Sequence, residues 1–89
     1  MEVYWFKHCP RCGPEGELAI VKSPRGALWL RCLECCWSCA NPKRCSKYKH
    51  GFEGVDSVVT IPTDHEIDHQ GWRRYCLSRM EIDPIELNR

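Results

Sequence analysis

The chain has 89 residues, eight of them cysteine, and a formal net charge of +1 at pH 7. A core of this size gives only marginal stability, so such short chains usually depend on disulfides, a bound metal or a partner. Residues 1–50 carry nine Lys and Arg against four Asp and Glu, and residues 51–89 carry four against eight, which argues against a general nucleic-acid-binding function that needs a concentrated basic face.

The first forty residues predict three short strands. The aromatic and β-branched run at residues 3–6 is typical of a strand. Two apolar runs follow at residues 18–21 and 27–30. Pro24 and Gly26 lie between these two runs, so an antiparallel hairpin is expected there.

The second half predicts a basic loop, a strand and a helix. Residues 36–54 are rich in Lys and Arg and have little periodicity, whereas residues 57–61 are typical of a strand that Pro62 ends. Thr63 and Glu66 have the spacing of a capping box, so a helix is predicted over residues 64–80. Gly71 is expected to weaken that helix without ending it.

The redox compartment decides how the cysteines are interpreted. The N-terminal sequence lacks the pattern of a signal peptide, and no apolar run is long enough to span a membrane, so a cytoplasmic location is expected. In a reducing compartment, clustered cysteines are typical metal ligands. A disulfide framework is the alternative.

Two cysteine pairs have the spacing of a zinc site. Cys9 and Cys12 form one C-x2-C pair, followed by Gly13, and Cys32 and Cys35 form the second after nineteen intervening residues. That interval suits one hairpin, which brings the pairs together. Other pairings among the crowded cysteines at 32, 35, 36 and 39 remain open.

These motifs resemble the zinc-ribbon family over residues 1–40. The resemblance implies a Zn²⁺ held by Cys9, Cys12, Cys32 and Cys35, with a structural rather than catalytic role because four thiolates leave no open position. The predicted fold is a small α+β metal-stapled domain, with a zinc-ribbon β-hairpin or three-stranded antiparallel sheet plus one C-terminal helix. Residues 1–40 would form the ribbon, and residues 41–89 would pack on it as part of one domain.

A second zinc site is a further hypothesis. Cys36, Cys39, Cys45 and His50 offer three thiolates and one imidazole, and Cys76 could replace His50. A second zinc would order the basic loop. The alternative is that these cysteines are small buried residues.

The segment His65–Glu66–Ile67–Asp68–His69 matches the HExxH string of zinc metallopeptidases. Asp64 before the string and Asp68 within it are charged, where metallopeptidase helices are usually apolar. The string also lies at a helix N-terminus, and no third ligand follows in a familiar pattern. An exposed, acidic first turn explains the same residues. A metallopeptidase is therefore a remote alternative.

The expected function is that of a non-enzymatic zinc-binding protein-interaction module. In overall likeness, with no motif to carry it, the chain resembles small bacterial immunity proteins that neutralise a toxin, and its acidic half suits a basic toxin or nuclease as partner. The alternative is a nucleic-acid-binding zinc ribbon of transcription or translation. Both use basic and aromatic residues on the loop and helix, namely Lys43, Arg44, Lys47, Tyr48, Lys49, Trp72, Arg73, Arg74, Tyr75 and Arg79.

Overall fold

Five strands form one antiparallel sheet in the computed structural model, which describes residues 1–35, 37–44 and 58–87. The strands are β1 (Glu2–Cys9), β2 (Gly13–Lys22), β3 (Leu28–Cys32), β4 (Ser38–Cys39) and β5 (Ser78–Glu81). Two short helices accompany them, α1 (Asp64–His69) and α2 (Pro84–Leu87), with 3-10 turns at Pro42–Arg44 and Arg73–Tyr75.

The order of strands across the sheet is β4-β3-β2-β1-β5. The predicted hairpin is β2–β3, which pairs Leu18 with Cys32 and Lys22 with Leu28. Gly26 in its turn has a φ of +87°, a conformation that favours glycine. β5 lies far from β1 in the sequence, yet the two strands pair. A strand from the last part of the chain therefore forms the edge of a sheet whose other strands come from the first part.

β2 is buried on both faces, because the sheet is covered on both sides. Leu18 and Ile20 pack into one cluster with Leu30, and Ala19 and Val21 pack into the other. Successive residues of a strand point to opposite faces, so a strand covered on both faces is apolar throughout. This explains the uninterrupted apolar run at residues 18–21.

Different segments cover the two faces. Ile67 of α1 and Trp37 pack on the face that also holds Cys9 and Cys32. Val59, Ile82 and Leu87 pack on the opposite face. The cysteine-bearing face is therefore closed by α1, whose start is fixed by the predicted capping box, since Thr63 and Glu66 form both of its hydrogen bonds.

The predicted helix over residues 64–80 is wrong. The helix ends at His69, and Gly71 adopts a φ of +74°, which terminates the helix instead of merely weakening it. A 3-10 turn follows, and Ser78–Glu81 then forms β5. This strand has one half-buried apolar residue, Met80, so no alternating pattern marks it in the sequence.

The predicted number of strands is also corrected. A β-hairpin or three-stranded sheet, a further strand at residues 57–61 and one C-terminal helix were expected, and the described residues form five strands and two short helices. The strand expected at residues 57–61 is reduced to a single bridge, in which Thr60 and Lys22 exchange backbone hydrogen bonds of 2.7 and 2.9 Å. Ser57 lies outside the described residues.

Candidate metal centre

The two cysteine pairs meet at one end of the sheet. Cys9 ends β1 and Cys32 ends β3. Both strands run antiparallel to β2, so their C-terminal residues lie at the same end of the sheet. Cys12 and Cys35 lie in the turns that follow these strands. The structure therefore brings together the four cysteines whose spacing predicted a common site.

The distances between the sulfurs suit a tetrahedral metal. Cys9 Sγ lies 3.8 Å from Cys35 Sγ, and Cys12 Sγ lies 3.8 Å from Cys32 Sγ. All four lie within 4.8 Å of one another. Metal–sulfur bonds of about 2.3 Å give a regular tetrahedron with edges of about 3.8 Å. The four sulfurs could therefore hold a metal ion with little rearrangement.

The same distances exclude disulfides within the cluster, where bonded sulfurs would lie about 2.05 Å apart. Cys9, Cys12, Cys32 and Cys35 are all free thiols. The disulfide alternative therefore does not apply to these four residues.

The two turns hold their first cysteine in matching ways. Cys9 Sγ accepts hydrogen bonds from the backbone amides of Arg11 and Cys12, at 3.4 and 3.5 Å. Cys32 Sγ accepts two at 3.4 Å, from the amides of Glu34 and Cys35. Amides aimed at a sulfur stabilise its thiolate form and fix its direction. The protein thus supplies two similar half-sites that face each other.

Two glycines shape the first half-site. Gly13 has a φ of +77°, which lets the chain turn sharply after Cys12. Gly16 allows a close approach, because a Cβ there would lie 2.9 Å from Cys32 Sγ, 3.0 Å from Cys12 Cβ and 3.1 Å from Cys9 Cβ. The sequence did not indicate a role for Gly16, because its close approach to the cysteines exists only in the folded hairpin.

The thiols compete for ionisation. The hydrogen bond with Cys35, followed by burial, raises the pKa of Cys12 to about 11. Burial also raises the pKa of Cys32. Burial opposes ionisation of Cys35, but hydrogen bonds from the Cys12 thiol and the Trp37 amide lower its pKa below the usual value. A bound cation would remove the repulsion that prevents all four sulfurs from ionising together.

The hypothesis of a second zinc site stays a prediction. Cys36, Cys45 and His50 lie outside the described residues. Cys39 is buried and disulfide-bonded, and Cys76 is half-buried with its Sγ 3.7 Å from the Trp72 carbonyl. Within the described ranges, the cluster at Cys9 is the only group of three or more potential ligands close enough to share a metal.

The HExxH residues have other partners. Glu66 forms an ion pair of 2.8 Å with Lys22 and accepts a hydrogen bond of 2.9 Å from the Thr63 amide. These contacts lower the pKa of Glu66 to about 2. A general base works best with a pKa near the working pH. His65 and His69 are exposed, with ring centroids 6.1 Å apart, and no third ligand joins them in the described part of the chain.

A network of charges covers the outer side of α1. Arg73 donates two hydrogen bonds to the Asp68 carboxylate, at 2.7 and 3.2 Å, and a third to Asp64. Arg79 donates to the Tyr4 hydroxyl at 2.6 Å, and this hydroxyl donates to Asp64 at 2.8 Å. Two of the arginines expected to bind a partner are therefore already paired with acidic groups. The Tyr4 and Arg73 hydrogen bonds lower the pKa of Asp64.

The chain matches no protein-family model, no curated protein and no solved structure in the comparisons made with it. The described helices are all too short to cross a membrane. The zinc-ribbon likeness is thus carried by the cysteine spacing, to which the structure adds a four-sulfur cluster on two matching turns.

Proposed function

We propose that this chain is a non-enzymatic protein-interaction module whose fold is held by one structural Zn²⁺ on Cys9, Cys12, Cys32 and Cys35. The observation that carries the proposal is the tetrahedral spacing of four free thiols. Four thiolates fill the coordination of zinc and leave no position for water or substrate. The metal then stabilises the fold, and residues on the protein surface bind the partner.

Zinc is favoured by the role required of the metal. A tetrahedral site of four thiolates suits zinc or iron. Zinc has no redox chemistry and suits a purely structural role. The test is elemental analysis of protein purified without added metal: zinc with no visible absorption supports the proposal, whereas iron with a coloured thiolate complex contradicts it.

The narrower proposal is an inhibitor or immunity protein that neutralises a toxin. It is supported by the expectation that the metal is structural, which leaves binding to the protein surface. It predicts a neighbouring gene for a toxin and a tight complex with that toxin. If the protein purifies alone from its native cells and no such gene adjoins its own, this narrower proposal is wrong. The proposal of a structural Zn²⁺ site is not affected by that result.

A second candidate is a nucleic-acid-binding zinc ribbon. Lys43 and Arg74 favour it, because they lie beside two aromatic rings at one surface groove. The pairing of Arg73 and Arg79 with acidic groups weighs against it. Nucleic-acid binding should weaken steeply as salt rises, so the absence of any complex at low salt would remove this candidate.

A further inference from the structure

A groove of about 460 Å³ forms where two distant segments meet. One side is the chain at residues 40–43, just after β4, and the other is the turn from Gln70 to Tyr75 that follows α1. Gln70 anchors this turn to the β2–β3 hairpin by donating a hydrogen bond of 3.2 Å to the Gly26 carbonyl. The groove is thus built on the sheet and not on an isolated loop.

The groove is lined by two cations, Lys43 and Arg74. None of the described residues that line it carries a carboxylate. Neither cation forms an ion pair with the described residues, whereas the adjacent Arg73 is paired with Asp64 and Asp68. An anion that binds at the groove would offset the repulsion between these two like charges.

Aromatic rings give the groove a firm wall. Trp72 and Tyr75 are half-buried and pack edge to face, with ring centroids 6.0 Å apart. Tyr75 also packs edge to face on Phe6 of β1 at 5.2 Å. Rings fixed in this way lose little freedom when a partner binds, and Trp, Tyr and Arg are the residues that dominate protein interfaces.

We propose that this groove binds an acidic peptide segment of a protein partner, with carboxylates at Lys43 and Arg74 and an aliphatic side chain against Trp72 and Tyr75. The inference rests on the proposed function as a protein-interaction module and assigns its contact surface. It differs from the sequence-based expectation, in which the acidic half of this chain would bind a basic partner.

A peptide fits the groove better than a nucleic acid does. The groove offers two cations over a small volume, whereas phosphate backbones require a longer basic track. The two aromatic rings stand at 78° to each other, so they do not offer parallel faces for successive bases.

The test uses the full chain with its metal bound and measures fluorescence anisotropy. The probes are three short labelled peptides that alternate Leu with Glu, Gln or Lys, and a labelled oligothymidylate of similar length. The variants are Arg74→Glu and Lys43→Glu. The matched control is Arg25→Glu, which makes the same change of charge at an exposed arginine in the β2–β3 turn outside the groove.

The Glu–Leu peptide should bind more tightly than the other two peptides. Each groove variant should weaken its binding about tenfold, the effect of losing one charge-assisted contact, and Arg25→Glu should change it little. Equal binding of the three peptides, equal effects of all variants, or tighter binding of the oligothymidylate would overturn the inference. Zinc content and far-UV circular dichroism, measured on every sample, separate this outcome from failure of the zinc proposal, which would show as missing metal even in the unaltered chain.

Discussion

At the scale of single residues, the position of each sulfur predicts whether replacing that cysteine releases the metal. Cys12 is half-buried and belongs to the four-sulfur cluster, whereas Cys76 is also half-buried but lies outside it. Cys12→Ser should release the metal and unfold the chain, because structural zinc supplies on the order of 10 kcal/mol of folding free energy. Cys76→Ser should keep the metal. Metal content and circular dichroism of the two variants measure this, and equal metal retention would contradict the assignment of the cluster.

Gly16 should be more important than Gly26 for metal retention. An added Cβ would collide with three atoms of three cysteines, two of which are Cβ atoms that cannot move without the backbone. Gly16→Ala should destabilise the protein by about 1–3 kcal/mol through overpacking. The control is Gly26→Ala, whose Cβ meets nothing within 4 Å but whose φ is also unfavourable. Gly16→Ala should lose zinc at lower chelator concentration than Gly26→Ala, and the reverse order would show that Gly16 does not support the site.

Glu66 should make part of the stability depend on pH. Its folded pKa of about 2 lies below the usual value of 4.5, since Lys22 and the Thr63 amide favour the carboxylate. A depressed folded pKa means that this contribution is fully present above about pH 4.5 and is lost as the pH falls towards 2. The free energy of unfolding of the unaltered chain should exceed that of Glu66→Gln at pH 7, and the gap should narrow below pH 4.5. A gap that stays constant down to the lowest pH at which both chains are folded would contradict this account.

At the scale of elements, α1 depends on its N-terminal cap. Thr63 Oγ1 accepts a hydrogen bond of 3.1 Å from the Glu66 amide, and Glu66 returns one to the Thr63 amide. Thr63→Ala should lower the free energy of unfolding by about 1 kcal/mol, whereas Thr63→Ser should keep most of it. Urea denaturation of the two variants measures the difference. Equal losses would show that the hydroxyl does not act as a cap.

The elements also show why sequence reasoning succeeded for some of them and failed for others. The β2–β3 hairpin and the start of α1 could be predicted, because apolar runs, turn residues and a capping box are local signals. β5 could not, since its four residues are mostly exposed and it is stabilised by backbone pairing with the distant strand β1, from Trp5 opposite Ser78 to Glu2 opposite Glu81. Gly71 was expected to lie within a helix, and only the positive φ shows that it ends one.

At the scale of the whole molecule, the four-sulfur cluster is built on the ends of two strands of the sheet. The cluster joins the ends of β1 and β3, and the strand between them is buried on both faces. The ligand set could be predicted because two C-x2-C pairs around a hairpin form one site. Gly16, the charge network around Tyr4 and the groove at Lys43 could not, because each requires segments that only the folded chain brings together.

The most direct test of the central claim is to measure metal content and fold in the same experiment. The protein is purified without added metal, analysed for zinc, and then followed by far-UV circular dichroism as a strong chelator is added with a reductant. We expect zinc in the purified chain, loss of the folded signal as the metal is removed, and recovery when Zn²⁺ is restored. A chain that carries no metal, or that keeps its fold unchanged after the metal has gone, would contradict the claim that the four sulfurs hold this fold together.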